Sequence, residues 1–150
     1  MKYRIGFFVL FFSVIYLVPS GFSREEKALY PGFHKIEDCP AYSRFLEGSR
    51  NDYAKILFLI DRFAKANVKI RFDGHYFTPA FAGNFARSFF SAYYKGETPK
   101  QWIMKWCNTS VFTGDLIWVE LPNKKFRLAR DILLEEIKVL ESHMDQKAQS

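Results

Sequence analysis

The chain has 150 residues, with 22 basic and 16 acidic side chains and a net charge of +6. This length fits one domain with a hydrophobic core, and the modest, scattered positive charge does not indicate a nucleic-acid partner. The three histidines and two cysteines are isolated from one another, so the sequence predicts neither a metal centre nor a cofactor.

The first 23 residues have the order of a secretory signal peptide. Lys2 and Arg4 form a basic start, residues 5–18 are uncharged and mostly apolar, and Ser23 is a small residue at the cleavage point. Cleavage after Ser20 and an uncleaved anchor are the alternatives, although this uncharged run is shorter than the roughly 20 residues that span a bilayer. We therefore expect a periplasmic or secreted protein without a transmembrane span after cleavage, and with a net charge of +4.

Residues 24–50 predict an irregular N-terminal arm, because proline and glycine recur and no hydrophobic period is sustained. A short helix is predicted at 41–46. The arm is too aromatic for a disordered linker, so we expect it to pack on the domain. Its aromatic residues include Tyr30, Phe33, Tyr42 and Phe45.

The globular domain is predicted to span residues 51–144 and to begin with an amphipathic helix at 51–66, capped by Asn51 or Ser49. The helical period places Arg62 on the polar face and also places Phe58 there, as an exception among the apolar residues. The predicted buried stripe consists of Tyr53, Ile56, Leu57, Ile60, Phe63 and Ala64.

Residues 68–72 and 75–77 predict a β-hairpin, because Asp73-Gly74 between them is a strong signal for a tight turn. Thr78-Pro79 then begins a helix that ends near Lys95. Apolar residues cover about half of its circumference, more than the roughly 100° stripe of an ordinary surface helix. We therefore expect a central helix that packs on more than one partner.

Two further helices and a second hairpin follow. Thr98-Pro99 and Gln101 predict a capped helix that ends near Cys107. Strands are predicted at 116–121 and 126–128, a last helix at about 129–144, and a frayed tail at 145–150. The order of helix, hairpin, helix, helix, hairpin and helix indicates a small single-domain α+β fold rather than a doubly wound sheet.

Cys39 and Cys107 can pair in an oxidising compartment. A bridge would close a loop of about 68 residues and stabilise the fold by about 4 kcal/mol through the entropy of the unfolded chain. The alternative is two separate thiols, with Cys107 packed as a small apolar side chain.

Several short motifs follow one another in an order typical of a known family. They are Asp73-Gly74, the alanines Ala80, Ala82 and Ala86, Thr98 with Trp102-Ile103, Ser110 and Thr113 with Gly114, Leu121-Pro122-Asn123, and Arg130-Asp131-Ile132-Leu133. In this joint order residues 52–141 resemble the YfeK-like family of small exported bacterial proteins, which has no assigned function. The family often has Arg where this chain has Phe72 and His where it has Phe85. If those polar residues form the family's site, this chain is a divergent member that has lost part of it.

Two polar segments are candidate binding sites. A hydroxyl-rich turn could hold an anion or a peptide end, or its hydroxyls could satisfy local backbone groups. It consists of Thr109, Ser110, Thr113 and Gly114. The first hairpin could present a polar edge to a ligand, or it could be a structural turn with an exposed strand face. Its polar residues are Arg71, Asp73, His75 and Tyr76.

Aromatic residues are abundant, and most of them are predicted to form the core. Phe58 and the wide helix after Pro79 leave room for a groove or a dimer surface. No nucleophile elbow, paired-carboxylate signature or phosphate-binding loop occurs in the sequence.

We therefore predict an exported cell-envelope protein that is a binding or interaction module and not an enzyme, with an unidentified envelope or secreted partner. One alternative is a small hydrolase-like enzyme, in which the Ser110 or Thr113 hydroxyl lies beside His75 or a carboxylate such as Asp115. The other is a structural or host-interaction protein that forms a homodimer through exposed aromatic side chains.

Overall fold

The computed structural model describes residues 28–148, which form five helices and one four-stranded antiparallel sheet. The predicted α+β class is confirmed. The predicted signal peptide, residues 1–23, lies outside the described residues. The helices are α1 (Pro40–Glu47), α2 (Asp52–Ala64), α3 (Pro79–Tyr93), α4 (Pro99–Trp106) and α5 (Ala129–Ala148). The strands are β1 (Lys69–Phe72), β2 (His75–Phe77), β3 (Trp118–Glu120) and β4 (Phe126–Leu128).

The strand order in the sheet is β2-β1-β3-β4. Asp73 and Gly74 join β1 to β2 with φ of 51° and 74°, as a tight turn with two left-handed residues requires. The pairing of β1 with β3, with Ile70 opposite Val119, joins the two hairpins into one sheet. Within residues 28–148, no helix is long and apolar enough to cross a bilayer.

Side-chain caps fix the starts of three helices. The Asn51 side chain accepts the Ala54 N–H at 2.9 Å, and Thr78 accepts the N–H of Phe81 at 3.2 Å. Thr98 and Gln101 form a complete capping box at the start of α4. The predicted caps are therefore confirmed, and each satisfies backbone donors that have no acceptor within their own helix.

The described part of the N-terminal arm, residues 28–50, packs on the domain, as predicted. Tyr30, Phe33, Tyr42 and Phe45 are all buried. Because α1 covers one side of α2, Phe58 is only 2% exposed and packs against the rings of Tyr42 and Phe45. The prediction that Phe58 lies on a polar face is therefore wrong.

Arg62 is also buried, although the helical period placed it on the polar face of α2. Its Nε donates to Glu136 Oε2 on α5 at 2.5 Å, and a second nitrogen donates to the carbonyl of His34 at 2.8 Å. The guanidinium also lies over the ring of Phe33. The polar interpretation of this position is wrong because the arm and α5 enclose it and supply its partners.

Helix α3 packs on more than one partner, as predicted, because it contacts α2, β1 and the tryptophan rings of α4, but it is not the central helix that we expected. It packs mainly on α2 and fully buries only Gly83 and Phe90. Phe81, Phe85 and Tyr93 are instead exposed. The wide apolar surface of this helix therefore contributes to the surface of the molecule rather than to the centre of its core.

Helix α5 continues to Ala148, so residues 145–148, which were predicted to fray, are helical. Residues 149 and 150 lie outside the described part. The helix buries Ile132, Ile137 and Leu140 against α1, α2 and the sheet.

Cys39 and Cys107 are free thiols and do not lie at disulfide distance, so the structure does not contain the bridge that the sequence allowed. Cys39 precedes α1 and is buried, whereas Cys107 follows α4. Burial raises the pKa of the Cys107 thiol to about 12. Both residues pack among apolar side chains of one hydrophobic cluster, which is the alternative interpretation of these cysteines.

Candidate functional site

Asp73 joins the two candidate sites that the sequence separates by almost 40 residues. Its Oδ2 accepts the hydroxyl of Ser110 at 2.7 Å, and its Oδ1 accepts the hydroxyl of Thr113. The carboxylate at the tip of the β1–β2 hairpin therefore holds residues 108–114, which we call the Ser/Thr loop.

The hydroxyls of this loop also bind its own backbone. Ser110 Oγ accepts the Phe112 N–H at 3.2 Å, and Thr113 Oγ1 accepts the N–H of Asp115 at 3.2 Å. Gly114, at φ 81°, donates its N–H to the carbonyl of Ser110 at 3.0 Å. These bonds favour the structural interpretation of the turn, because its hydroxyls are engaged and an anion would meet the carboxylate of Asp73.

The other predicted site residues lie around this contact without joining it. Thr109 forms a bridge with Leu116, and the His75 ring contacts Phe77. Tyr76 is exposed on β2 and lies under the ammonium of Lys69. Arg71 borders a shallow depression that also contains Asp73 and Asp115.

An apolar cavity of about 140 Å³ lies beneath the Ser/Thr loop. Helices α2, α3 and α4 supply most of its walls, and β1 supplies Ile70 and Phe72. Val111 and Phe112 cover one side of it, because the bonds to Asp73 hold their loop in place. The contact between the two predicted polar sites therefore holds Val111 and Phe112 over the apolar cavity.

Aromatic rings surround this cavity, and four of them, which we call the aromatic rim, are Phe85, Phe89, Trp106 and Phe112. Phe112 is 74% exposed, and its ring centroid lies 6.4 Å from that of Phe85. Phe89 meets Trp106 edge to face at 4.8 Å. Exposed apolar side chains gathered in one patch are typical of binding surfaces.

The lining of the cavity is uncharged. Among residues 28–148, the side chains that line it include no Asp, Glu, Lys, Arg or His. The polar side chains in the lining are those of Ser110, Thr109, Cys107 and two tryptophans. Elsewhere in the described chain, no group of three or more His, Cys, Asp or Glu residues is placed to hold a metal ion. The chemistry that this site offers is therefore apolar contact with a few hydrogen-bond donors.

The sequence did not indicate Trp102 and Trp106 as functional residues. They are four residues apart on α4 and both line the cavity. The same spacing relates Phe85 to Phe89 on α3, and residues four apart lie on one face of a helix. The sequence therefore did contain a signal for this site. It consists of two pairs of aromatic residues, each pair four residues apart, on two consecutive helices.

Comparison of the chain with family models, curated proteins and solved structures found no significant match. The resemblance to the YfeK-like family therefore stays a prediction that rests on the order of the motifs.

Replacing Asp73 with Asn is expected to loosen the Ser/Thr loop. Asn tolerates the positive φ at this position. Its side chain is uncharged and has one acceptor oxygen, so it cannot accept both hydroxyls as the carboxylate does. We expect a loss of about 1.5–3 kcal/mol in stability, typical of hydrogen bonds to a charged group. Urea unfolding measures this loss, and hydrogen exchange should show faster exchange of the amides of residues 110–114.

The matched control is Asp115→Asn, since only the backbone of Asp115 is seen to bind the loop. Equal effects of the two substitutions would contradict the proposed role of the Asp73 side chain.

Proposed function

We propose that this protein is an exported cell-envelope binding module whose cavity takes a compact apolar ligand. The observation that carries the proposal is the uncharged cavity of about 140 Å³ beneath the Ser/Thr loop. A cavity of about 150 Å³ lined by Leu, Ile and Phe stays dry and binds benzene. The volume and lining found here therefore suit one aromatic ring or a short branched chain.

The aromatic rim supports a ligand that reaches the cavity from solvent. Phe85 and Phe112 are exposed to solvent. Burial of apolar area contributes about 25 cal/mol of stabilising free energy for each Å² removed from water. A ligand or partner that covers these rings recovers this free energy. The part of the Ser/Thr loop that covers the cavity, residues 110–114, is held by the hydrogen bonds of Asp73 and of the loop's own backbone, whereas Asn108 at its start is bonded to Ile117 and Arg130.

The export of this protein to the cell envelope is proposed from its N-terminal sequence alone. Lys2, Arg4, the apolar residues 5–18 and Ser23 follow the order of a secretory signal. The ligand or partner is then a molecule of the cell envelope or of the secreted fraction.

Filling the cavity is expected to abolish binding of a small apolar probe. Ala86 lines the cavity, so Ala86→Leu places a branched side chain where the ligand would lie. The control is Ala92→Leu, because Ala92 is exposed on the same helix. Toluene at about 100 times its Kd should stabilise the native protein and the control by about 2.7 kcal/mol, and it should leave Ala86→Leu unchanged.

Thermal unfolding with and without toluene provides the measurement. No shift with the native protein, or an equal shift with Ala86→Leu, would reject the cavity as the binding site.

A hydrolase-like activity at Ser110 is the second candidate function. The observation that favours it is the carboxylate of Asp73, which accepts the Ser110 hydroxyl at 2.7 Å. The predicted partner of the hydroxyl was His75 or a carboxylate such as Asp115. The His75 ring contacts Phe77, and the observed contacts of Asp115 with the loop are made by its backbone. Covalent labelling of the native protein, but not of Ser110→Ala, by a fluorophosphonate would favour this function over ligand binding.

Self-association is the third candidate. Phe81 and Phe85 are exposed four residues apart on neighbouring turns of α3, and Tyr93 is exposed further along the same helix. Light scattering of the mature domain at high concentration tests this candidate, since a strict monomer would exclude it.

A further inference from the structure

One face of the four-stranded sheet stays open to solvent. The inner face carries Ile70 and Val119, which are 3% and 0% exposed and pack toward the helices. Residues paired directly across neighbouring strands share a face of the sheet, so the register defines the outer face as well. All of its side chains are exposed or half-buried. They form two rows, Tyr76, Arg71, Trp118 and Leu128 in one and Lys69, Glu120 and Phe126 in the other.

Aromatic rings flank a cation in the first of these rows. Tyr76 on β2 and Trp118 on β3 both lie opposite Arg71 on β1, one on each side of it. Because neighbouring strands lie about 4.8 Å apart, the two aromatic residues are separated by about 10 Å. Lys69 lies two residues before Arg71 on the same face, with its ammonium 6.0 Å from the centroid of the Tyr76 ring.

The two cations of β1 are available to a ligand. Neither Lys69 nor Arg71 forms an ion pair with another described residue. Glu120, which lies opposite Lys69, pairs instead with Lys124 at 3.1 Å. An anionic group on a ligand would therefore complement charges that the domain itself leaves without a salt bridge.

Two depressions, of about 590 Å³ and about 390 Å³, lie on this face. Each contains one exposed or half-buried aromatic ring, one of the two cations and at least one carboxylate. The first set is Tyr76, Lys69 and Glu120, and the second is Trp118, Arg71 and Asp115. The same combination of groups occurs twice, which suits a ligand whose own groups repeat along a chain.

The mixed charge of the two depressions favours a sugar chain over a nucleic acid. A nucleic acid carries a phosphate on every nucleotide, and these phosphates would meet the carboxylates of both depressions. Sugar hydroxyls donate hydrogen bonds to carboxylates and accept them from Lys and Arg. The apolar face of a sugar ring also stacks on Tyr and Trp, whose rings combine an apolar body with a polar atom. The separation of about 10 Å between the two rings matches the length of a disaccharide.

A protein partner fits this face less well. Lysine and acidic side chains are depleted at the centres of protein interfaces. Lys69 and Glu120 lie opposite one another on β1 and β3, the two central strands of the sheet. A protein that covered the face would have to bury both of these charged groups.

We propose that the outer face of the sheet binds an acidic glycan that carries a carboxylate on every second sugar. The sugar rings stack on Tyr76 and Trp118, and a carboxylate of the glycan binds Arg71 with Lys69 beside it. This site is separate from the apolar cavity, which Ile70 and Phe72 line from the inner side of the sheet.

Three oligomers of equal length test the proposal by their affinity for the native protein. Hyaluronan hexasaccharide carries a carboxylate on every second sugar, chitin hexasaccharide is uncharged, and hexathymidylate is a nucleic acid. A charge-assisted hydrogen bond corresponds to roughly ten-fold tighter binding, so the hyaluronan oligomer should bind roughly ten-fold more tightly than the chitin oligomer. Hexathymidylate should bind more weakly than the hyaluronan oligomer.

Nuclear magnetic resonance of the native protein locates the site without any variant. The hyaluronan oligomer should shift the side-chain signals of Tyr76 and Trp118. The indole signals of Trp102 and Trp106 on α4 are the internal controls and should stay in place.

Two substitutions of exposed side chains separate the charge from the ring. Arg71→Gln should weaken binding of the hyaluronan oligomer roughly ten-fold and leave that of the chitin oligomer unchanged. Tyr76→Ser should weaken binding of both sugars. The matched control is Lys138→Gln, which removes one exposed positive charge from α5 and should change neither affinity. Toluene binding should be the same in all three variants, because the cavity lies on the other side of the sheet.

Several outcomes would overturn the proposal. They are failure of both sugars to bind, equal affinity for the two sugars, and tighter binding of hexathymidylate than of the hyaluronan oligomer. Binding of the hyaluronan oligomer that leaves the Trp118 signal in place would place the site elsewhere. Equal losses in Arg71→Gln and Lys138→Gln would show that net charge alone accounts for the binding.

Discussion

Glu136→Ala is expected to destabilise the domain by about 3–5 kcal/mol, because it leaves the charge of Arg62 buried without its partner. The side chains of Arg62 and Glu136 are 5% and 2% exposed, and they meet at 2.5 Å between α2 and α5. Arg62 also binds the carbonyl of His34 and lies over Phe33. Loss of the carboxylate therefore weakens the contacts of α2 with both the last helix and the N-terminal arm.

Urea unfolding of a double-mutant cycle measures the coupling between the two charges. Arg62→Met and Glu136→Met alone should each cost about as much as Glu136→Ala, whereas the double variant Arg62→Met with Glu136→Met should recover most of the loss, because neither charge is then buried alone. Arg44→Met is the surface control, since the Arg44 side chain is 63% exposed in its pair with Asp61 and should cost less than about 1 kcal/mol. Losses that simply add in the double variant would contradict this view of the pair.

The elements that were predictable from sequence are those that local signals determine. Asp73-Gly74 requires two residues at positive φ, and it forms the turn between β1 and β2. The Thr78 and Thr98 caps likewise depend on residues within one helical turn. Such signals need no knowledge of the tertiary partner, which is why the α+β class could be predicted from them.

The failures at Phe58, Arg62 and α3 concern which surface another element covers. Phe58 and Arg62 lie on the face of α2 that the helical period marks as polar, but α1, the arm and α5 bury that face. Conversely, the many aromatic residues of α3 suggested a central helix, whereas Phe81 and Phe85 remain exposed. Periodicity describes one helix at a time, so it cannot show which side meets a distant partner.

The candidate site was predictable only in pieces. Asp73, Ser110 and Thr113 were each recognised as polar positions, but their contact depends on the pairing of β1 with β3. That pairing brings the end of the first hairpin beside the loop that precedes β3. The cavity is less predictable still, because it is a gap between helices, and its presence depends on how closely their side chains pack.

Gly83→Ala is expected to destabilise the contact between α2 and α3, although alanine favours a helix by about 1 kcal/mol over glycine. A methyl group on Gly83 would lie 2.5 Å from the Cβ and 3.2 Å from the Cα of Ala64, and 3.5 Å from the carbonyl oxygen of Ile60. These neighbours are backbone or directly attached to it, so the helices must move apart. Overpacking of this kind typically costs about 1–3 kcal/mol, and Gly83→Val should cost more.

Moving the methyl group from one helix to the other provides the sharpest test of this contact. Gly83→Ala combined with Ala64→Gly restores the total volume at the crossing and should recover most of the stability lost in Gly83→Ala. Ala64→Gly alone should cost less than the interior value of about 1 kcal/mol through helix propensity, because Ala64 is the last residue of α2. Because α3 also carries Phe85, Ala86 and Phe89 of the cavity wall, Gly83→Ala should weaken toluene binding and the double variant should restore it. A Gly83→Ala protein with native stability and native toluene affinity would show that the spacing of α2 and α3 does not shape the cavity.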